Sequence, residues 1–395
     1  MPTQRQVPVG KLNRRTRMNE VHLWVPDIDV SNGGIQAFSY FLSRALREVQ
    51  PDLEVQLLAK HGRSNKRDTF NRGSGRICSA FRTMRFGSEL LWTGFRHPPI
   101  AVISSHIHFL PAAFVLKRLR GVRYVGVAHG IEAWSRPQPA LRAAVRAADL
   151  ILSVSRFTQG RIASEYGIPA ERLRVLPNTF DQTRFHPGPR PAQLLDRYRL
   201  PADAKIIFSF GRLAKAECYK GFDRIIAALP KIQRAVPEVR YLIGGSGDDR
   251  PRLVALAEAA GVADRVIFTG FLPTGEVAAH YNLCDVFAMP STGEGFGIVF
   301  LEALACGKPV LAGNRDGSTD PLMDGRMGAL VDPLDPEQIA GTLTQILLRN
   351  YPHPMMWQPN ELRRQVIDEF GFTKFATTLQ SHLHGMLPAA PFFGC

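Results

Sequence analysis

Two glutamates, Glu294 and Glu302, stand eight residues apart in the run M-P-S-T-G-E-G-F-G-I-V-F-L-E-A-L-A-C-G-K-P, residues 289–309. Gly293, Gly295 and Gly297 surround the first, and glycine lets a backbone approach a ligand closely. Ile298, Leu301, Leu304 and Ala305 then repeat at helical spacing, so a helix starts just after Gly297. Backbone N–H groups of Gly295, Phe296 and Gly297 would lack internal partners and carry the positive end of the helix dipole, which suits a diphosphate. Glu302 lies roughly 8–12 Å further along at about 1.5 Å per residue. That separation approximates the two ends of a sugar–diphosphate–ribose ligand, with each carboxylate accepting hydroxyl hydrogen bonds. The competing reading is an exposed helix glutamate and a second one that merely favours the dipole.

A strand at Val286–Met289 delivers the glycine turn, Gly307 and Pro309 close the helix, and another strand starts at Val310. The same alternation runs through the chain. Apolar strands are expected at 21–25, 55–59, 100–104, 122–128, 150–154 and 173–177, then at 206–210, 241–245 and 266–268. His186-Pro-Gly-Pro-Arg-Pro191 carries three prolines in six residues and breaks all periodicity between the two sets. Strands alternating with helical runs predict an α/β protein of two domains, residues 18–186 and 192–371, after a disordered basic leader at 1–17.

Ligands of open α/β sheets gather at the carboxyl ends of strands. Those ends carry Gly33 and Gly34 before a helix at 35–49, then His106, His108 and His129, then Arg212 and Lys220, Gly245 and Phe271. Arg212, with its fork geometry, and Lys220, as a point charge, are suited to a diphosphate. The turn at Gly245-Ser-Gly247 fails as a dinucleotide fingerprint because residue 250 is arginine. Asp27-Ile-Asp29 and the His106/His108 pair are the nearest approaches to metal sites. Neither gains the further ligands that a cage needs, so no metal is expected.

Composition narrows the classes. A 395-residue chain with 45% hydrophobic residues can bury large cores. No stretch of about 18 uninterrupted apolar residues suggests a membrane span. Five scattered cysteines without a C-x-x-C pair argue against a disulfide framework and a structural zinc site, and fit a cytoplasmic setting. Charge is lopsided: residues 1–190 hold 29 Lys+Arg against 13 Asp+Glu, whereas residues 191–395 hold 20 against 22. The basic half should face an anionic partner. From Lys60 to Arg85, basic residues interleave with Phe70, Phe81 and Met84, a mixture that suits a membrane interface or a lipid-linked acceptor. Single-stranded nucleic acid is the alternative.

The run E-G-F-G-I-V-F-L-E-A-L-A-C-G-K-P-V closely resembles the donor motif of family 4 of the retaining glycosyltransferases. Further segments extend the likeness: Gly33-Gly34, A-H-G around His129, V-S-R-F-T and V-L-P-N-T-F-D, and Arg212 followed by Lys220-Gly. The resemblance implies the GT-B fold, two Rossmann-like domains facing a cleft, with a closing helix at about 372–383 crossing back to the first domain. It implies a nucleotide diphosphate sugar as donor, no cofactor and no metal. Glu294 would orient sugar hydroxyls and Glu302 would bind ribose. Arg212, Lys220 and the N–H groups of 295–297 would hold the diphosphate, with Gly33 and Gly34 beside it. His129 would lie near the transferred sugar, and Gly245 and Phe271 at the nucleotide end. The implied acceptor is a saccharide or lipid-linked molecule at the inner face of a membrane, in polysaccharide or lipopolysaccharide assembly. Two departures stand out: Cys218 replaces a frequent arginine, and D-G-S-T-D at 316–320 replaces G-G-x-x-E. A nucleotide-sugar epimerase, a non-catalytic binder and a nucleic-acid binder are the rival readings.

Overall fold

A computed structural model describes residues 19–29, 33–61, 76–134 and 138–387. The expected leader, most of the basic stretch at 62–75 and the tail from 388 lie outside the described residues. Twelve strands among the described residues build two parallel sheets. The first contains β1 (Glu20–Val25), β2 (Glu54–Ala59), β3 (Ala101–Ser104), β4 (Arg123–Ala128), β5 (Leu150–Ser153) and β6 (Leu173–Val175), in the order β2-β1-β3-β4-β5-β6. The second contains β7 (Lys205–Phe210), β8 (Val239–Gly244), β9 (Val266–Gly270), β10 (Val286–Met289), β11 (Val310–Gly313) and β12 (Ala329–Val331), in the order β12-β11-β10-β7-β8-β9. Helices cover both faces, so β5, β10 and β11 are buried at every residue and read as apolar runs instead of alternations.

The strand order turns back between β1 and β3 in the first sheet and between β7 and β10 in the second. Such switch points open a crevice beyond the carboxyl ends of the strands. Gly33-Gly34 and His106 follow the first pair of strands. Arg212 and Glu294 follow the second pair. Strand order therefore places Gly33, Gly34, His106, Arg212 and Glu294 at the two crevices.

Helix Arg76–Arg96 was not anticipated from the basic, aromatic character of that stretch. Its inner face is Phe86, Leu90 and Thr93, a 4-then-3 spacing that the surrounding arginines hide from a simple count of charge. The proline-rich segment is held to the second half: the Gly188 N–H donates to Asn282 Oδ1 at 3.0 Å, and Asn282 Nδ2 donates to the His186 carbonyl at 3.1 Å. Helix Phe372–Leu383 lies against helix Gly34–Val49. Phe375 meets Phe38 edge-on at 5.5 Å, and the Arg44 guanidinium sits 3.9 Å above the Phe372 ring. One apolar cluster thus runs through both halves, joining Phe38 and Phe41 to Phe296, Phe300, Phe372 and Phe375.

Candidate functional site

The turn after β10 is built on a buried carboxylate. Asp316 Oδ2 accepts from the Glu294 N–H and from Ser291 Oγ, each at 2.7 Å, while Oδ1 accepts from the Ser318 N–H at 2.9 Å. In return the Gly317 N–H donates to the Glu294 carbonyl at 2.9 Å. Asp316 opens the D-G-S-T-D segment and is not among the site residues expected from the sequence. The signal was there, since Asp followed by Gly-Ser is a side-chain cap for a short helical turn. Gly293 backs onto Tyr219, where a Cβ would come within 2.9 Å of the ring.

Beyond Glu294, the Phe296 ring is buried against Phe370 at 5.7 Å, so only the backbone of that residue can meet a ligand. Among the described residues the N–H groups of Phe296 and Gly297 donate to no acceptor. Helix Ile298–Ala305 then buries Phe300 and Ala303 as well as Leu301, Leu304 and Ala305. The expected single stripe is too narrow because both halves of the molecule cover this helix. Its one ionisable side chain, Glu302, accepts from the Tyr281 hydroxyl at 2.9 Å, so the exposed-helix reading does not describe it.

Burial pushes the carboxyl of Glu294 up to about 7, against the opposing pull of Lys220 and with reinforcement from Asp316 and Glu217. Burial likewise pushes Glu302 up to about 7, against the Tyr281 hydrogen bond and the Arg184 charge. Lys220 Nζ lies 2.6 Å from Glu217 Oε2, and Arg212 pairs with the other oxygen of the same carboxylate. Lys220 is largely enclosed, whereas the Arg212 side chain is 73% exposed. Cys218 sits beside Arg252, which pairs with Asp249 and Asp223, so a guanidinium still occupies this corner.

On the facing side, the His129 ring donates from Nε2 to the Ser105 carbonyl at 2.7 Å and meets Phe38 edge-on at 4.9 Å. That bond leaves Nδ1 as an acceptor. Burial pushes the imidazole down to about 4, so it is neutral at physiological pH. The His129 backbone N–H donates to Glu132 Oε1 at 2.5 Å. His106 lies 6.4 Å from His129 and 4.7 Å from His108 between ring centres. Asp27 Oδ1 accepts from the N–H groups of Ile28 and Asp29, an ordinary loop arrangement. Among the described residues no group of three or more His, Cys, Asp or Glu is arranged to hold a metal ion.

The two sides touch. A Cβ on Gly295 would fall 1.7 Å from the His129 carbonyl oxygen, and one on Gly34 would lie 3.7 Å from Ile298 Cδ1. Asp320 accepts from the Arg156 N–H at 2.7 Å and from its guanidinium at 3.2 Å, and Asp324 takes the same guanidinium at 2.7 Å. Aspartate at 320 therefore has work in this chain, as a tie across the cleft. The structure brings together Glu294, Lys220 and Arg212, and it sets Gly295 against His129 and Gly34 against Ile298. Gly245 has φ +126 and packs on the Gly211 carbonyl, 1.9 Å from where its Cβ would be, so close backbone packing accounts for this glycine. Phe271 is 69% exposed just beyond β9.

Residues 32–184 match the family described as Glycosyltransferase Family 4, and residues 193–364 match Glycosyl transferases group 1. The chain is 38% identical over 272 residues to a GDP-mannose-dependent alpha-(1-6)-phosphatidylinositol monomannoside mannosyltransferase of Mycobacterium tuberculosis, covering 66% of this chain and 67% of that one. It belongs to the family 4 glycosyltransferases. A protein of the same description from Mycolicibacterium smegmatis is 37% identical over 243 residues, 58% of this chain and 62% of that protein, so the match spans under two thirds of that relative's length. The fold is that of a sucrose-phosphate synthase from Thermosynechococcus elongatus, with a TM-score of 0.76 over 94% of this chain and all of that one at 19% identity. The family 4 chain thus has the GT-B architecture, with its two sheets across one cleft. No helix among its described residues is long and apolar enough to cross a membrane.

Proposed function

We propose that the protein transfers a sugar, with retention of anomeric configuration and without a metal, from a nucleotide diphosphate sugar to a saccharide or membrane-associated acceptor. The observation that carries this reading is the Glu294 turn. Asp316 pins it, Lys220 faces it, and the N–H groups of Phe296 and Gly297 are left to meet an anion. Those donors, with Arg212 and Lys220, would stabilise charge growing on the leaving diphosphate, and preorganised donors of this kind commonly supply the largest catalytic contribution. Glu294 would orient the sugar hydroxyls and Glu302 the ribose. Neutral His129 would accept a hydrogen bond through Nδ1 near the transferred sugar. As the bond from the anomeric carbon to the phosphate oxygen breaks, the acceptor oxygen bonds to the same face. The departing phosphate oxygen takes the acceptor proton, so no protein nucleophile is required.

The acceptor side is read from the cationic first half. Helix Arg76–Arg96 exposes Met84 and Trp92, with Arg96 5.6 Å from the Trp92 ring, and the neighbouring helix Leu110–Arg120 exposes Leu119. Apolar side chains set among arginines suit the headgroup region of an anionic membrane. The named mycobacterial relatives act on a phosphatidylinositol mannoside, which favours a glycolipid acceptor and GDP-mannose as the first donor to try. The deciding experiment is a thermal-shift panel of UDP-, GDP- and ADP-sugars, followed by product analysis with the best donor in the presence of EDTA. A donor that binds only the folded state raises the unfolding temperature with its concentration. A retained anomer on an added acceptor supports the proposal. An inverted product, a free epimerised sugar nucleotide or EDTA-sensitive turnover would overturn it.

A further inference from the structure

Tyr281 is fully buried on helix Val277–Leu283 and is held by three edge-to-face contacts, with Phe185 at 5.9 Å, Phe208 at 5.6 Å and Phe287 at 5.4 Å. Such contacts fix a ring in one orientation. Its hydroxyl points at one oxygen of Glu302, Oε2, at 2.9 Å, and Oε1 has no partner among the described residues. We propose that Tyr281 is a positioning residue for ribose recognition: by occupying Oε2 it orients the Glu302 carboxylate and reserves Oε1 for the vicinal hydroxyls of the donor nucleotide. This inference rests on the assignment of Glu302 to the ribose made above.

The electrostatics support the geometry. Burial raises the Tyr281 phenol well above its ordinary value, so it remains a donor. The groups facing Glu302 are Tyr281, Arg184, Asp181 and, at the end of its own helix, Cys306. Tyr281 and Arg184 favour the ionised carboxylate, while burial and Asp181 oppose it. Removing the Tyr281 hydroxyl therefore raises the pH at which Glu302 ionises, and a protonated carboxyl is a poorer acceptor for two hydroxyls.

The test measures dissociation constants, by calorimetry between pH 6 and 9, for whichever of UDP, GDP and ADP binds best and for its 2′-deoxy counterpart. Wild type, Tyr281→Phe and Glu302→Leu are compared. A hydrogen bond to a charged group carries about tenfold in affinity or more. Wild type should prefer the ribonucleotide by about that factor. Tyr281→Phe should lose most of the preference near neutral pH and regain it at higher pH, a recovery that a merely structural defect would not give. Unfolding midpoints of both variants establish that they are folded. If Glu302→Leu abolishes the preference while Tyr281→Phe keeps the wild-type profile at every pH, the role of Tyr281 fails alone. If Glu302→Leu keeps the preference, the ribose assignment fails and the inference falls with it.

Discussion

Two glycine-rich turns open helices on opposite sides of the cleft, Gly33-Gly34 before helix Gly34–Val49 and Gly295-Phe-Gly297 before helix Ile298–Ala305. They look alike in sequence, yet glycine serves a different purpose in each. Among the described residues a Cβ at Gly34 would meet only Ile298 Cδ1, at an ordinary contact distance of 3.7 Å, whereas one at Gly295 would be driven into the His129 carbonyl at 1.7 Å. Each turn holds one glycine at positive φ, Gly33 at +137 and Gly297 at +89, but Gly297 also has a Phe300 ring 2.5 Å from its would-be Cβ. The second turn is also anchored from beneath by Asp316, with Ser291 and Ser318 bonded to the same carboxylate. The lesson is that a glycine motif can mark room for a ligand or the absence of room for anything, and only the neighbours distinguish them.

The largest effect that would sharpen this contrast concerns the charge served by the second turn. Lys220→Ala should lower turnover by about a hundredfold or more with the fold intact, since it deletes a preorganised cation at the leaving group. Near-normal kcat in a steady-state assay with the identified donor would detach Lys220 from the chemistry. Next, Gly295→Ala should wedge the two sides apart at His129. Overpacking of this kind costs about 1–3 kcal/mol, readable by denaturant unfolding, and activity should fall in parallel. An unchanged midpoint would mean that the sides separate freely in solution. Asp316→Asn should follow at about 1–3 kcal/mol, because an amide cannot accept at every site that the carboxylate serves and the Glu294 N–H is left buried.

Smaller effects come from pH and from the first turn. Glu294 and Glu302 both ionise near 7 in the folded protein against an ordinary value of 4.5. Between those values the folded state holds protons that the unfolded chain has released, so the ligand-free protein should lose stability as pH rises from about 4.5 to 7. Donor affinity should move the other way across the upper part of that window, since the ionised carboxylates are the acceptors. Parallel unfolding and binding titrations with pH would expose either sign as wrong. Gly34→Ala should be the mildest change, neutral or stabilising by about 0.4–1 kcal/mol through the unfolded state. A marked loss of donor affinity in a stable Gly34→Ala variant would show that the ligand fills the space beside Gly34.

Much of this was legible in the residues. Period and punctuation locate the strands that end at Val25, Ala128, Phe210 and Met289, and the helix start after Gly297. These signals are local, carried by apolar spacing, caps and glycines. Helix Arg76–Arg96 is hard to read from its sequence because arginines and glycines interrupt its apolar residues, and among its described side chains Phe86, Leu90 and Thr93 turn inward. Asp316 and Tyr281 were hidden for another reason: each acts on a partner at least 21 residues away in sequence, and no local pattern announces such a bond.

Chain order alone places one glutamate in a glycine turn and a second on the helix that the turn opens, cations after a strand in the same half, and the basic excess in the other half. Those facts follow from chain order and composition. Tertiary packing is what bonds Glu302 to Tyr281, pins Glu294 with Asp316 and carries Asp320 across to Arg156. Burial and long-range pairing are properties of how the two sheets pack, and packing sets the protonation of a carboxylate as surely as its chemistry does.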